Sequence, residues 1–147
     1  VTVACIPCEQ RHLAAVERVD DSPDTRRNVL GVPGADEMLS TYARAIVDGD
    51  NVLGVIGVFP LWEGRGYAWA MLSELAFSHG LSVTKATKAA LEYAETDLGF
   101  KRIEAAVEIG YGRGHRWIES LGFQFEGNMR NFGPGGVGEY ALYARCR

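Results

Sequence analysis

The sequence predicts an α/β domain: a mixed β-sheet with helices packed against it. Three observations carry that reading. An apolar strand over Tyr67–Ser73 runs through a short polar turn into a long helix over about Ser82–Asp97. In that helix Val83, Ala86, Ala90, Leu91, Ala94 and Leu98 recur at helical spacing on one face. Lys101–Ile109 then alternates, with Ile103, Ala105, Val107 and Ile109 on one side and Glu104 and Glu108 on the other. A strand–helix–strand unit of this kind is a crossover between parallel strands. Tyr67–Ser73 and Lys101–Ile109 are therefore expected as parallel neighbours.

The remaining elements follow in chain order. Val1–Ile6 is β-branched and apolar and reads as a strand ended by Pro7. Glu9–Val19 places Leu13, Val16 and Val19 on one helical face. Asp20–Pro23 is a break, Asp24–Leu30 a second short helix, Gly31–Gly34 a turn, and Ala35–Ser40 a further helical turn. Tyr42–Val47 and Asn51–Phe59 are strands joined by Asp48-Gly49-Asp50, a hairpin signal. Pro60 ends the second of them, and Leu61–Gly66 is a loop carrying Trp62. Gly99 ends the long helix. Gly110–Gly114 is a glycine-rich link, Arg116–Leu121 a short helix, and Gln124–Asn131 with Glu139–Arg145 a closing hairpin. No repeat or linker divides the chain, so residues 1–147 are read as one domain.

Composition narrows the classes of function. Nearly half of the 147 residues are apolar, as in an ordinary globular domain, and the net charge of −4 argues against nucleic acid as a partner. No apolar run is long enough to span a membrane, and no signal-peptide pattern is present. Cys5, Cys8 and Cys146 are an odd, sparse set that suits a reducing compartment, the cytoplasm. Cys5-Ile6-Pro7-Cys8 has the spacing of a redox pair, but only four residues precede it where a thioredoxin-like fold needs a βα unit. Both cysteines are expected as free thiols without a catalytic part. No His, Cys or carboxylate cluster has metal-ligand spacing, so no metal is expected.

The start of the long helix carries the first hint of a ligand. Lys85 and Lys88 lie near its beginning and Glu92, Glu95 and Asp97 near its end, the reverse of what the helix dipole prefers. A phosphate bound near Ser82–Lys85 accounts for cations there, since free N–H groups at a helix start hold anions. An ordinary solvated face accounts for them equally well.

Trp117-Ile118-Glu119-Ser120-Leu121-Gly122-Phe123, with Glu126-Gly127 after it, resembles the Gly-Phe segment that follows the short fourth helix of the GNAT N-acetyltransferases. The element order from Asn51 to Arg147 is similar to theirs. Phe59-Pro60-Leu61-Trp62, Ala68-Trp69, the stretch 129–134 and Tyr140–Arg145 resemble a phage-encoded branch of GNAT-like proteins, some of them internal virion proteins. The resemblance implies a GNAT-like mixed sheet in which strands four and five splay to form a cofactor cleft. It implies acetyl-CoA as cosubstrate, an amine as acceptor, and a homodimer as an available assembly. If the chain is phage-encoded, it implies a host-cytoplasm or virion location. Carried onto this chain, Ser73 and Leu75 meet the pantetheine arm. His79, Gly80, Leu81, Ser82 and Val83 supply backbone N–H groups to the pyrophosphate, and Lys85 adds charge.

Three departures bear on catalysis. The superfamily's Gln/Arg-x-x-Gly-x-Gly/Ala loop is replaced by Ser78-His79-Gly80-Leu81-Ser82, with one glycine. The usual Asn after the fifth strand is Tyr111, and the Tyr that often protonates the departing thiolate is Ile118. The catalytic candidates are Glu74 at a strand end, Glu108 near the expected splay, and Tyr111 as a substitute acid. Glu74 and Glu108 also read as solvated carboxylates, Glu74 at a strand end and Glu108 on the outward face of its strand. His79 is expected against phosphate or solvent, and His115 is expected to cap or flank the short helix. Trp62 is expected to line the acceptor pocket from its loop, and Trp69 to be structural. Acyl transfer from acetyl-CoA to an amine is the leading reading. The alternative is a catalytically weak or inert GNAT-like phage structural or binding protein.

Overall fold

The computed structural model describes residues 3–16 and 31–147; the expected break at 20–23 and short helix at 24–30 lie outside them. The apolar, β-branched middle of the chain forms an antiparallel meander of β2 (Ala43–Asp48), β3 (Asn51–Trp62) and β4 (Arg65–Leu72). Gly49, at a φ of 57°, makes the tight β2–β3 turn. β1 (Val3–Pro7) pairs antiparallel with β2. Pro7 ends its strand as the sequence suggested, whereas Pro60 lies within β3. Pro7 is the last residue of edge strand β1, opposite Arg44, and Pro60 sits beside an irregularity in the β3–β4 register. Edge positions and bulges are where a sheet tolerates a missing N–H. The loop expected over Leu61–Gly66 shrinks to Glu63-Gly64.

After β4 the chain turns directly into α3 (Glu74–Ser78) and α4 (Gly80–Thr96), so the expected polar turn is itself helical. Glu74, Leu75, Ala76 and Phe77 contain no helix breaker, and Gly80 stands at a helix start, where it costs little. Just beyond the end of α4 the chain turns at Gly99, which has a φ of 80°. β5 (Arg102–Glu108) follows, then α5 (Gly112–Ser120), β6 (Gln124–Met129) and β7 (Tyr140–Cys146). The glycine-rich link expected at 110–114 supplies the first turn of α5. The strands form one sheet in the order β1-β2-β3-β4-β5-β7-β6. β4 and β5 are its parallel neighbours, as expected.

Helices cover both faces. α1 (Gln10–Ala15) is shorter than the helix expected over Glu9–Val19; it packs with α2 (Ala35–Tyr42) through Leu13 and Leu39 against Val55 and Met71. On the other face Leu91 and Ala94 of α4 and Ile118 of α5 meet Val58, Ile103 and Tyr143, while Val83 meets Ile46, Leu53 and Ile56. Together these clusters bury the alternating apolar residues that the strand pattern predicts.

An ion network ties the start of β5 to its neighbours. Arg65 donates from Nε and Nη2 to Glu104, at 2.5 and 2.9 Å, and Arg102 Nε donates to the same carboxylate at 2.7 Å. Arg102 continues the chain to Glu126. Glu104 is only 6% exposed. Its carboxyl is held down at about 2, chiefly by hydrogen bonding from Arg65, with Arg102 assisting against the opposing effect of burial. A depressed folded-state pKa means that the stabilisation is complete above the ordinary carboxylate value of 4.5 and is lost as pH falls towards about 2. Glu104→Gln is expected to lower stability at pH 7 by on the order of 2–3 kcal/mol. It should also flatten the pH dependence in that acid window. Urea unfolding at pH 7 and pH 3 measures both effects.

Candidate active site

β4 and β5 pair at only three positions, Arg65↔Arg102, Gly66↔Ile103 and Tyr67↔Glu104, and separate beyond them. The separation opens a cavity of about 620 Å³. Hydrogen-bond alternation decides which backbone groups face it. The Ser73 N–H donates to the Leu53 carbonyl at 2.9 Å, which makes Leu72 and Gly54 a pair whose main-chain groups point away from each other. Leu72, and by alternation Ala70, therefore turn their N–H and C=O away from β3 towards the opening. On the facing strand the Ile109 N–H donates to the Glu139 carbonyl at 3.0 Å, so Val107 and Ala105 bond β7 while Ala106 and Glu108 turn towards β4. The cleft thus has polar backbone edges and largely apolar walls.

The start of α4 stands at this cleft, and Gly80 lines it. The Val83 N–H donates to the His79 carbonyl at 2.9 Å, which leaves Gly80, Leu81 and Ser82 as the N–H groups without an intrahelical acceptor. Several residues expected to meet the cofactor have their polar groups engaged elsewhere or lie away from the cavity. Val83 has a committed amide and a buried side chain. Ser73 donates both its N–H and its Oγ–H to Leu53, the latter at 2.8 Å. Leu75 belongs to α3 and does not line the cavity. The His79 ring is held between α3 and the end of β2, with Nδ1 3.0 Å from the Leu75 carbonyl and Nε2 3.6 Å from Asp48. Lys85 is exposed on α4. A cation that the sequence reading missed is Arg113, whose guanidinium lies 4.1 Å from the centre of the Phe77 ring; both residues line the cavity. A lone Arg within Gly110–Gly114 was its only signal.

The catalytic candidates separate in the same way. Glu74 opens α3, is exposed and does not line the cavity. Glu108 ends β5, Tyr111 caps α5, and both line the cavity. The Tyr111 N–H donates to the Glu108 carbonyl at 3.0 Å, so one turn holds the pair together. The Tyr111 ring packs over Gly114: a Cβ there would stand 2.6 Å from the ring and 2.9 Å from Val107. His115 lies within α5 and fastens that turn from behind. Its Nε2 is 2.9 Å from the Glu108 carbonyl and 3.1 Å from that of Ile109, so Nε2 carries a proton. Its Nδ1 is 2.8 Å from the Tyr143 hydroxyl, which reaches Glu119 at 3.3 Å. Burial, then Glu119, raises the pKa of Tyr143.

Of the two tryptophan expectations, that for Trp62 fails, and Trp69 is structural as expected but also borders the cavity. Trp62 ends β3, is exposed, and carries the Arg65 guanidinium 4.2 Å from its ring centre, at the paired end of β4 and β5. Trp69 lines the cavity, with its indole over Gly57, where a Cβ would stand 2.6 Å from the ring. The three cysteines are free thiols, as expected. Cys8 is 0% exposed, and burial, then Glu9 and Asp36, push its thiol up to about 12, far from a nucleophilic thiolate.

Gly114→Ala tests the packing at Tyr111. It is expected to destabilise the protein by about 1–3 kcal/mol as the ring is forced aside. In a Tyr111→Ala background most of that loss should disappear, and a double-mutant cycle on thermal unfolding reads the coupling.

No protein-family model matches the chain, and no curated protein sequence matches it. Solved structures do match. A GNAT-family acetyltransferase from Streptococcus pneumoniae superposes with a TM-score of 0.78 at 12% identity, covering 99% of both chains. A variant of the spermidine N-acetyltransferase of Vibrio cholerae gives 0.71 at 13% identity, covering 98% of this chain and 93% of its own. The ribosomal-protein-S5-alanine acetyltransferase of Vibrio fischeri gives 0.69 at 14%, covering 98% and 92%. At these identities the likeness concerns the backbone: the chain has the fold of the GNAT acetyltransferases, and its parallel strands β4 and β5 part as the resemblance implies.

Proposed function

We propose that this protein is an N-acetyltransferase that moves an acetyl group from acetyl-CoA to an amine. The observation that carries the reading is the parting of β4 and β5 after Tyr67, which leaves the backbone edge at Ala70 and Leu72 without a strand partner inside a 620 Å³ cleft. An extended arm bearing amides fits such an edge, because it can exchange hydrogen bonds with it as a further strand does. A pyrophosphate suits the N–H groups of Gly80, Leu81 and Ser82, with Lys85 and Arg113 adding positive charge. The residues present thus fit acetyl-CoA, with the pantetheine contacts moved from Ser73 and Leu75 to Ala70 and Leu72. Bound acetyl-CoA supplies an activated acyl thioester.

The chain's own groups then have distinct roles. Glu108 takes the proton released by the acceptor amine, directly or through water. Tyr111, held beside it by the Glu108 carbonyl, gives a proton to the departing thiolate, at a site where Ile118 provides no hydroxyl. Ile118 is 7% exposed and belongs to the core. A new C–N bond replaces the C–S bond, and the amine proton leaves through Glu108. The alternative, an inert member of a phage-encoded branch, draws on the single glycine at 80 and on Ile118. The cleft with Glu108 and Tyr111 on its wall favours catalysis over it. The three free thiols suit a reducing compartment such as the cytoplasm.

Leu81→Pro tests the anion cradle. Its side chain is 92% exposed, and its N–H has no intrahelical acceptor, so the change removes a donor from the first turn with little cost to the fold. Acetyl-CoA affinity, measured by titration calorimetry, should fall at least tenfold with far-UV circular dichroism unchanged. Lys85→Ala should cost about 1 kcal/mol or less, shrinking with added salt. Unchanged affinity in a folded Leu81→Pro protein would move the pyrophosphate elsewhere.

A further inference from the structure

The cleft opens on both faces of the sheet, and α4 lies against only one of them. Strand alternation assigns the side chains of the other. On β4, Arg65, Tyr67, Trp69 and Met71 share a face, and Trp69 and Met71 pack into the cluster of Leu13 and Leu39, so this is the face of α1 and α2. On β5, Glu104 is the parallel partner of Tyr67 and bonds Arg65, which places Ala106 and Glu108 on the same face. β7 adds Tyr140 opposite Glu108. The Arg65–Glu104–Arg102 network closes the paired end. Beyond it the wall is aromatic: Tyr67, Trp69, Tyr140 and Phe132, with the last two rings 5.2 Å apart. Burial raises the pKa of the Tyr67 hydroxyl, with Tyr140 the next cause.

Among the described residues Glu108 is the one carboxylate that lines the cavity. Its two lining cations are stacked on rings of the helical elements, Arg44 on Tyr93 of α4 and Arg113 on Phe77 of α3. We propose that this aromatic face receives the acceptor and selects an arylalkylamine: one ammonium on a flat apolar body. The ammonium meets the Glu108 carboxylate, and the ring is buried against Trp69, Tyr67 and Tyr140, where aromatic contacts add to apolar burial. A polyamine brings further positive charges to a wall with no second carboxylate among the described residues. An acidic acceptor meets repulsion from Glu108. Transfer rests on the acetyltransferase reading above: the deprotonated amine nitrogen attacks the thioester carbonyl, the C–S bond breaks as the C–N bond forms, and the products are the N-acetylated arylalkylamine, the free CoA thiol and one proton.

Titration calorimetry on the whole chain, with and without acetyl-CoA, tests the pocket independently of turnover. Phenethylamine should bind at least tenfold more tightly than butylamine, spermidine or the uncharged 2-phenylethanol. Glu108→Gln should abolish its advantage over 2-phenylethanol, and Trp69→Leu its advantage over butylamine. The ranking in the unmodified protein decides the matter even where a variant fails to fold. With acetyl-CoA present, thiol release should give phenethylamine the highest kcat/KM of the panel. Equal binding of phenethylamine and butylamine, or tighter binding of spermidine, overturns the proposal. Absence of acetyl-CoA binding overturns the acetyltransferase reading alone, and the amine ranking in the free protein still decides this one.

Discussion

Glu104 lies where β4 and β5 last touch. It receives Arg65 from one strand and Arg102 from its own, beside the Tyr67↔Glu104 register position. The carboxylate is buried and bonded by both guanidinium groups, so removing either arginine leaves a charge with less than its full complement of donors. Three paired positions and this ion network hold the strands together at one end. Among the described residues nothing comparable holds them at the other, where β5 stays with β7 along its whole length. The cleft follows from that asymmetry, with β4 committed to β3 and β5 to β7.

The two strand ends are braced differently. β4 passes into α3 through Ser73, whose N–H and hydroxyl both bond the Leu53 carbonyl of β3. β5 passes into α5 through a turn bonded by Tyr111 and backed by His115, Tyr143 and Glu119. Both braces are side-chain or turn hydrogen bonds to backbone carbonyls at the parted end. They keep the rims in place where ladder bonds are missing, since an unpaired strand end in a partly apolar cavity needs other partners for its polar groups.

The departures from the GNAT pattern that the sequence resembles are accommodated by local packing. Ile118 fills core space beside Leu121 and Phe123, so a hydroxyl there has no counterpart in this chain. Tyr111, at the position of the usual Asn, reaches the cavity because Gly114 leaves room for its ring. Only one glycine stands at the start of α4, where α3 already brings the chain round as a helix. Wider glycine-rich loops are needed only where the backbone must bend outside helical geometry.

The sequence by itself determined the elements whose signals are local. The alternation of Lys101–Ile109, the helical period of Val83–Leu98 and the Asp48-Gly49-Asp50 turn specify β5, α4 and the β2–β3 hairpin, because strand and helix periods are visible within one segment. The adjacency of the two parallel strands also followed, from the crossover rule. Glu108, Tyr111 and Gly80, candidates from the sequence, line the cavity, and each stands at the end of a recognisable element. Tertiary structure alone decided the rest. Ser73 and Val83 look as available as their neighbours until their N–H groups are seen bonded to Leu53 and His79. Trp62 misses the cavity and Trp69 borders it because one lies at the paired end of the splayed strands and the other at the parted end. Which edge of β4 faces the cavity depends on hydrogen-bond alternation against β3, and a one-residue shift reverses it. That register is a relation between strands, set by long-range packing, and no window of the sequence contains it.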